Sequence, residues 1–317
     1  MIPTALLGPR GVEVTRIGLG CGPLGNLFTA MSDDDATATV DAAWGAGIRY
    51  FDVAPLYGHG LAELRLGRAL RQYPRNEFVV SSKVGRRLRA DADFDPGIFR
   101  IERGLAPRFD YSRDGVLHSI EESLHRLGLD RLDVALVHDP DHHEQDALDG
   151  AFPALVELRE QGVLRAIGAG MNQHEMLSRF VAHVDLDCVL LAGRYTLLDR
   201  SGERLLEVCL ARGVGVILGG VFNSGILANA DAEPTYDYEP APTGVVERAR
   251  ALRSACERHG VHLPAAAIRF AFDHPAVSTV AVGARSPAEI RADVAWAQTA
   301  LPPRLRAELD AVASSAR

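Results

Sequence analysis

Three ionisable side chains of different chemistry occur near the ends of three successive apolar segments. Asp52 lies near the end of RYFDV, Lys83 ends FVVSSK, and His138 ends LDVALVH. Such segments are typical of strands buried on both faces of a parallel sheet, where polar residues are unusual. A lone Asp at a strand end is commonly a loop cap and a lone His a core residue, but three at equivalent positions favour a functional site. A carboxylate, an ammonium and an imidazole can together hold and move a proton.

Other catalytic patterns are absent or weak. The sequence contains no GxSxG motif, and no Ser–His–acid arrangement stands out. The run HDPDHH, which starts at His138, is interrupted by Pro140 and lacks the i, i+4 spacing of a helical zinc motif. We therefore expect no bound metal.

A glycine motif follows the first predicted strand. Gly20, Gly22 and Gly25 form GxGxxG. In a dinucleotide-binding fingerprint the glycines open a helix directly, whereas here Pro23 interrupts the motif and the next helix is predicted only after Ser32. We interpret it as a loop whose backbone can approach a ligand, with a Rossmann dehydrogenase as the weaker alternative.

The segments that must position these residues alternate between short β-branched runs and longer runs with helical spacing. Eight strands are predicted at Arg16–Gly20, Arg49–Val53, Phe78–Ser82, Leu132–Val137, Ala166–Gly170, Cys188–Ala192, Val214–Leu218 and Ser278–Val282. Helices are predicted near 33–46, 60–71, 112–127, 145–161, 173–183, 201–212, 244–259 and 287–299. This alternation predicts an α/β fold, a (β/α)₈ TIM barrel, as a single domain over residues 1–317.

Two long segments and one hairpin flank the predicted barrel. Residues 85–110 and 220–243 are rich in Gly, Pro and Asp, and each follows a strand, so both belong to the C-terminal mouth, where active sites of barrels lie. The stretch before the first strand predicts a β-hairpin turning at residues 8–11, which would plug the opposite end.

Composition excludes several classes of function. The chain has 317 residues, 47% of them hydrophobic, and a formal net charge of −8, which argues against a nucleic-acid partner. No apolar run reaches the length of a membrane span, and the N-terminal residues lack the apolar core of a secretory signal. The four cysteines form no CxxC pair and are interpreted as packing residues. We expect a cytoplasmic protein that binds small molecules.

The runs FDVAPLYGHGLAELRLGRAL, SSKVGR and VALVHDPD resemble the aldo-keto reductases, and the likeness extends from the hairpin to about residue 299. The resemblance implies that the catalytic residues are Tyr57, Asp52, Lys83 and His138. The segments AGRYTLLD and GGVFNSGILA look most like the aldose-dehydrogenase branch, which includes enzymes for D-threo-aldoses, L-fucose and pyridoxal.

The resemblance also implies the chemistry of Tyr57. Its hydroxyl would exchange a proton with the substrate oxygen while hydride moves between carbon and nicotinamide. An ordinary tyrosine has a pKa of about 10, so activity near neutral pH calls for a downward shift of roughly 3 units. Lys83 would favour the phenolate, Asp52 would hold Lys83, and His138 would orient the substrate oxygen.

Cofactor positions follow from the same likeness. They are Gly20, Gly22, Asn172 for the carboxamide, Gly219, Phe222, and Gly283, Arg285 and Glu289 toward the adenosine end. Ala192 and Gly219 replace a glutamine and an aromatic residue that many reductases have, and Phe222 is expected to compensate. Glu289 would repel a 2′-phosphate, although Arg285 could still reach one, so NAD is favoured over NADP.

Substrate positions are less specific. The pocket walls are expected from Leu24, Leu56 and the two long segments. Arg86, Arg87 and Arg89 either attract an anionic substrate or form a solvated face, and Tyr236 and Tyr238 either stack on a ligand or pack the loop. Aldoses, pyridoxal and other small aldehydes or alcohols all remain open, as does a nucleotide-sensing binding module with little turnover.

Overall fold

Eight parallel strands close into one barrel. The computed structural model describes residues 2–229, 231 and 234–314. The barrel strands are β3 (Ile17–Gly20), β4 (Tyr50–Asp52), β5 (Val79–Val84), β8 (Val134–His138), β9 (Ala166–Met171), β10 (Cys188–Ala192), β11 (Gly215–Gly219) and β14 (Val277–Gly283). Each pairs with the next in chain order, and β14 pairs with β3. The predicted (β/α)₈ TIM barrel is confirmed, and all eight strands lie within two residues of their predicted bounds.

Helices cover the outside of the barrel. They are α1 (Asp33–Gly45), α2 (Leu61–Leu70), α3 (Arg113–Leu127), α4 (Glu144–Asp146), α5 (Phe152–Glu160), α6 (His174–His183), α7 (Glu203–Arg212), α8 (Thr243–Arg258), α9 (Leu263–Ala271), α10 (Pro287–Ala297) and α11 (Pro303–Ser314). One π-helical turn at Ala147–Ala151 joins α4 to α5. The Ser32 hydroxyl accepts from Asp35 N and so caps α1, as its acidic first turn predicts. The sequence analysis did not predict α9 and α11.

Three antiparallel hairpins complete the fold. β1 (Thr4–Leu7) and β2 (Val12–Thr15) form the predicted N-terminal hairpin. β6 (Arg86–Asp91) pairs with β7 (Gly104–Phe109), so part of the predicted 85–110 loop is a regular hairpin. The pairing was missed because its strands carry many charged residues and only one face packs on the protein. β12 (Thr235–Tyr236) and β13 (Glu239–Pro240) form the third, within the segment 220–243.

The barrel interior is filled by its own apolar cluster, separate from the layer between strands and helices. Its members are Leu7, Val12, Val14, Tyr50, Val79, Val134, Leu136, Ala166, Cys188, Leu190, Ile217 and Ala281. The members from β1 and β2 pack on residues at the starts of the barrel strands, so the hairpin closes the N-terminal end, as predicted. The C-terminal end therefore remains as the mouth.

None of the helices in the described part of the chain combines the length and the apolar character that crossing a bilayer requires. That the whole of residues 1–317 forms one domain stays a prediction.

Candidate active site

Side chains alternate between the inside and the outside of the barrel along each strand. Val79 and Leu136 belong to the interior cluster and lie four and two positions before Lys83 and His138. The period of two therefore brings Lys83 and His138 to the inside, at the C-terminal end of adjacent strands. Asp52, at the end of neighbouring β4, reaches the same place, so the structure brings together the three residues that strand ends predicted.

Lys83 and Asp52 form a buried ion pair. Lys83 Nζ donates to Asp52 Oδ2 over 2.7 Å and to the carbonyl oxygen of Val53 over 3.1 Å. The two side chains are 1% and 4% exposed. A buried charge is tolerated only when it is paired and hydrogen-bonded, so each of these residues fixes the charge state and position of the other.

Two polar residues that the sequence analysis did not single out support Asp52 from the other side. Ser81 Oγ donates to Asp52 Oδ1 over 2.7 Å, and Tyr50 Oη lies 2.8 Å from Ser81 Oγ. Both are fully buried. Ser81 stands two residues before Lys83, and Tyr50 two before Asp52, so period-two spacing of polar groups in otherwise apolar strands was the available signal.

Tyr57 lies in the loop after β4. Its ring centroid is 4.7 Å from Lys83 Nζ and 6.1 Å from the His138 ring, which it meets edge to face. The loop is held against the glycine loop at two positions without side chains. A Cβ at Gly25 would lie 2.5 Å from the Tyr57 carbonyl carbon, and one at Gly58, where φ is +60°, would lie 2.5 Å from the Gly25 oxygen. Gly25 therefore permits the close backbone contact that places Tyr57.

The electrostatics of Tyr57 differ from the expectation. Burial raises the pKa of Tyr57 above its ordinary value, and the attraction of the Lys83 ammonium, which lowers that pKa, only partly offsets it. The expected downward shift is therefore wrong for this structure, because the effect of burial exceeds that of Lys83, and the negative charge of Asp52 raises the pKa of Tyr57 as well. Burial by itself would lower the pKa of Lys83. The carboxylate of Asp52 more than offsets this, so the pKa of Lys83 is raised and its side chain stays charged. The phenol of Tyr57 is protonated at neutral pH.

His138 is neutral. Burial, and then the positive charges of Arg86 and Lys83, hold the pKa of His138 well below its usual value. The side chain is 7% exposed. Its Nδ1 is buried and has no hydrogen-bond partner among the described residues, while Nε2 lies on the side of Asp139. A neutral imidazole can donate one hydrogen bond to an oxygen without carrying charge.

The first loop of the mouth is organised by a buried arginine of α2. Arg65 donates to the carbonyl oxygens of Leu24 and Met31 over 2.7 and 2.8 Å, to Asn26 Oδ1 over 2.7 Å, and to Asp33 Oδ1 over 2.8 Å. It was not predicted. Leu24 itself is fully buried in the core, and its role as a pocket wall stays a prediction.

Three adjacent strands end in glycine. Gly219, Gly283 and Gly20 end β11, β14 and β3, and Gly20 pairs with both Gly283 and Asp52. These glycines leave a stretch of the rim without side chains beside the predicted catalytic residues. Gly22 follows in the first loop, and Leu56 is half-buried next to Tyr57. Glycines at strand ends let a ligand approach the backbone closely, although the Pro23 ring packs against Gly283.

The N-terminus of α10, which the resemblance assigns to the adenosine end of a cofactor, follows β14 after a short turn. Ser286 caps this helix, and Glu289 Oε2 accepts from the backbone N–H of Arg285 over 2.8 Å. The Arg285 guanidinium contacts Thr29 Oγ1 at 3.2 Å. Helix N-termini favour phosphate groups, so the site fits a dinucleotide, and the carboxylate of Glu289 lies at the same helix end.

The remaining predicted positions divide between the mouth and its surroundings. Asn172 follows β9 and lies beside the Tyr238 side chain; burial raises the pKa of Tyr238, and the contact with Asn172 offsets this only in part. Tyr238 also approaches Phe28, with ring centroids 6.2 Å apart. Tyr236 instead donates to Asp199 over 3.3 Å and packs the loop. Phe222 is half-buried against the core, and Ala192 pairs with Gly219, as neighbouring strands require.

The three arginines after Lys83 have different partners. Arg87 pairs with Glu122 at 2.7 Å and Arg89 pairs with the same carboxylate at 3.1 Å, so both face α3. Arg86 pairs with Asp139 at 3.0 Å, next to His138. Only Arg86 of the three therefore borders the predicted catalytic residues. No group of three or more His, Cys, Asp or Glu side chains within residues 2–229, 231 and 234–314 is arranged to hold a metal ion.

Comparisons with known proteins identify the family and the fold. The sequence model of the aldo/keto reductase family matches residues 16–314. The chain is 42% identical over 309 residues to D-threo-aldose 1-dehydrogenase from Pseudomonas sp., covering 94% of each chain. It is 41% identical over 319 residues to pyridoxal 4-dehydrogenase from Microbacterium luteolum, covering 93% of each. The holo form of an aldo-keto reductase from Bacillus halodurans superposes with a TM-score of 0.80 at 25% identity, covering 100% of this chain and 98% of that one.

Proposed function

The chain belongs to the aldo/keto reductase family and is an NAD(P)-dependent oxidoreductase, and on that premise we propose that it oxidises an aldose. The substrate class includes sugars such as L-fucose or a D-threo-aldose. Small aldehydes or alcohols are alternative substrates of the same hydride transfer. Support comes from the relative named D-threo-aldose 1-dehydrogenase, which is 42% identical over 94% of both chains.

We assign the proton transfer to Tyr57. In oxidation its phenolate takes the proton of the substrate hydroxyl while the hydrogen on the same carbon leaves as hydride; in reduction the phenol returns the proton. The nicotinamide supplies or accepts the hydride when it is bound. Lys83 stabilises the phenolate by its charge, Asp52 holds Lys83, and His138 donates a hydrogen bond to the substrate oxygen.

The observation that carries this proposal is the position of Tyr57. Its ring lies 4.7 Å from Lys83 Nζ and 6.1 Å from the ring of His138, at the mouth where barrel enzymes work. A charged ammonium and a neutral imidazole on either side of one phenol form a place where an oxygen can bind and exchange a proton.

We propose NAD as the preferred cofactor. Gly20, Gly22, Gly219 and Gly283 would line its path, Asn172 and Phe222 would meet the nicotinamide end, and the N-terminus of α10 would face a phosphate. Glu289 supports NAD over NADP, because its carboxylate stands at that N-terminus and would repel a 2′-phosphate. Glu289 also forms an ion pair with Arg285 over 3.9 Å. This pair partly neutralises Arg285, which is the cation within reach of such a phosphate.

A second candidate substrate is pyridoxal. It is favoured by the 41% identity to a relative named pyridoxal 4-dehydrogenase. The same proton and hydride transfers apply to both substrates, so the distinction depends on the pocket walls.

For the location in the cell, we propose a reducing compartment such as the cytoplasm, because all four cysteines are buried free thiols.

The test is a screen of rates with NAD and NADP on aldoses, pyridoxal and small aldehydes. Each rate is measured by the absorbance of reduced nicotinamide. We expect turnover with an aldose and a higher kcat/KM with NAD. Turnover with pyridoxal alone would favour the second candidate. Cofactor binding without turnover on any substrate would contradict the proposal and favour a nucleotide-sensing module.

A further inference from the structure

Asp139, the residue after His138, holds an unusual backbone conformation at the mouth. Its φ is +40°, in the left-handed region, which is uncommon for residues other than glycine although asparagine and aspartate adopt it more often than most. Its N–H donates to the Gly170 oxygen over 3.1 Å, and the Tyr111 hydroxyl lies 2.7 and 3.1 Å from the carbonyl oxygens of His138 and Asp139. These contacts fix a conformation that the chain would otherwise avoid.

This conformation brings the Asp139 carboxylate beside the imidazole. Its Oδ2 lies 3.5 Å from His138 Nε2 and 3.0 Å from Arg86 Nη2. None of the described residues donates a hydrogen bond to the other oxygen, Oδ1. The side chain is 24% exposed, so a ligand can reach it. The Arg86 Nε is likewise buried without a partner in the described part of the chain. The pair therefore leaves an unused acceptor at the edge of the mouth.

The charge of this acceptor is set by groups from several elements. Burial raises the pKa of Asp139 to about 6, with Arg86 and Lys83 lowering it and Asp141 raising it. Its charge in turn raises the pKa of Tyr238, from the third hairpin. Above pH 6 the group is an ionised acceptor next to the nitrogen that would hold the reacting oxygen.

We propose that Asp139, held by Arg86, binds the hydroxyl on the carbon next to the reacting carbon, so that the enzyme selects 2-hydroxy aldehydes and sugars. The inference rests on the proposed function, since it places the reacting oxygen at His138. Adjacent hydroxyl or carbonyl oxygens of a sugar lie side by side, as do Nε2 of His138 and the carboxylate of Asp139. A hydroxyl bound to a carboxylate forms a charge-assisted hydrogen bond, and a substrate without it leaves a partly desolvated charge unpaired.

The test compares reduction of lactaldehyde and propionaldehyde, which differ only in the hydroxyl next to the carbonyl. We expect the unmodified enzyme to favour lactaldehyde by about 10- to 100-fold in kcat/KM. Asp139→Asn and Asp139→Gly both suit a positive φ, and we expect Asn to weaken the preference and Gly to remove it. Arg87→Gln is the matched control, because Arg87 faces α3, and it should keep the preference.

Two results would overturn the inference. One is an unmodified enzyme that reduces both aldehydes equally well, and the other is an Asp139→Gly variant with the full preference for lactaldehyde. Either result leaves the proposed function intact. Absence of turnover with every aldehyde and sugar, with either cofactor, would instead contradict the proposed function, and this inference would fall with it.

Discussion

Lys83 Nζ lies 2.7 Å from Asp52 Oδ2 inside the barrel, where both side chains are almost completely buried. Lys83 Nζ lies against the ring of Tyr57, and the pair links two adjacent strands, β4 and β5. It therefore serves both the fold, which must neutralise a buried charge, and the proposed chemistry, which needs an ammonium near a phenol.

Breaking the pair on one side should destabilise the protein more than removing both charges. We expect Lys83→Met to lower the free energy of unfolding by about 3–5 kcal/mol, because Asp52 is left as an unpaired buried charge. Adding Asp52→Asn to that variant should restore part of the loss. Urea unfolding of the two single variants and the double variant measures the coupling. A Lys83→Met protein as stable as the unmodified one would contradict the buried pair.

Removing the Tyr57 hydroxyl should affect chemistry and leave binding intact. Tyr57→Phe keeps the ring that packs near Lys83 and His138, so we expect cofactor affinity to be unchanged. General acid–base catalysis contributes roughly 10²- to 10⁴-fold, so kcat should fall by that factor. Steady-state rates and cofactor titration by fluorescence check this. Tyr73→Phe is the control, because the Tyr73 hydroxyl donates to Asp41 on the helical surface, away from the site. A near-native rate for Tyr57→Phe would contradict the proposed role of Tyr57.

The rate of oxidation should rise with pH. The pKa of Tyr57 is raised by burial, so the phenolate that oxidation needs is a minor form at neutral pH. Its fraction grows about tenfold per pH unit below the pKa, and kcat/KM for oxidation should follow between pH 7 and pH 9. Because the pKa of His138 is held well below its usual value, His138 adds no step in this range. A flat profile would mean that Tyr57 titrates elsewhere.

Arg65 should control the first loop and, through it, cofactor binding. Its guanidinium makes three hydrogen bonds to the loop between β3 and α1 and a fourth to Asp33, the first residue of α1. We expect Arg65→Met to cost about 2–4 kcal/mol of stability, since several acceptors lose a charged donor, and to raise KM for the cofactor at least tenfold. Arg68→Met, one turn along on α2, removes an exposed contact of 3.4 Å to Asp33 and should change neither. If the two variants behaved alike, the Arg65 hydrogen bonds would not control the first loop.

Asp293 of α10 should make stability depend on pH. The side chain is 3% exposed, and burial, followed by repulsion from Glu289, raises its pKa to about 7. A raised pKa favours the protonated form in the fold, so the stability it contributes is present at low pH and is lost as pH rises through 7. We expect Asp293→Asn to stabilise the protein at pH 8 by roughly 2–4 kcal/mol, with the gain shrinking toward pH 4. Glu247→Gln, on the exposed face of α8, is the control; a gain that does not vary with pH would contradict the titration.

Local sequence patterns were sufficient for the architecture of the barrel. All eight barrel strands were predicted to within two residues, because strands buried on both faces read as apolar runs, and capped helices follow them with regular spacing. The strand-end positions of Asp52, Lys83 and His138 come from the same regularity. Tyr57 lies in a loop, where no periodic signal exists, and its position was implied only by a family resemblance.

What the sequence could not determine are relationships between residues far apart in the chain. The contacts of Arg65 with a loop about 40 residues earlier, the raised pKa of Tyr57 and the Asp139 carboxylate beside His138 all depend on tertiary packing. Each arises from burial and from distances in space, and neither can be read from local spacing. The sequence by itself thus determined the barrel and which chemical groups reach its mouth, and the tertiary structure decided their charge states and their partners.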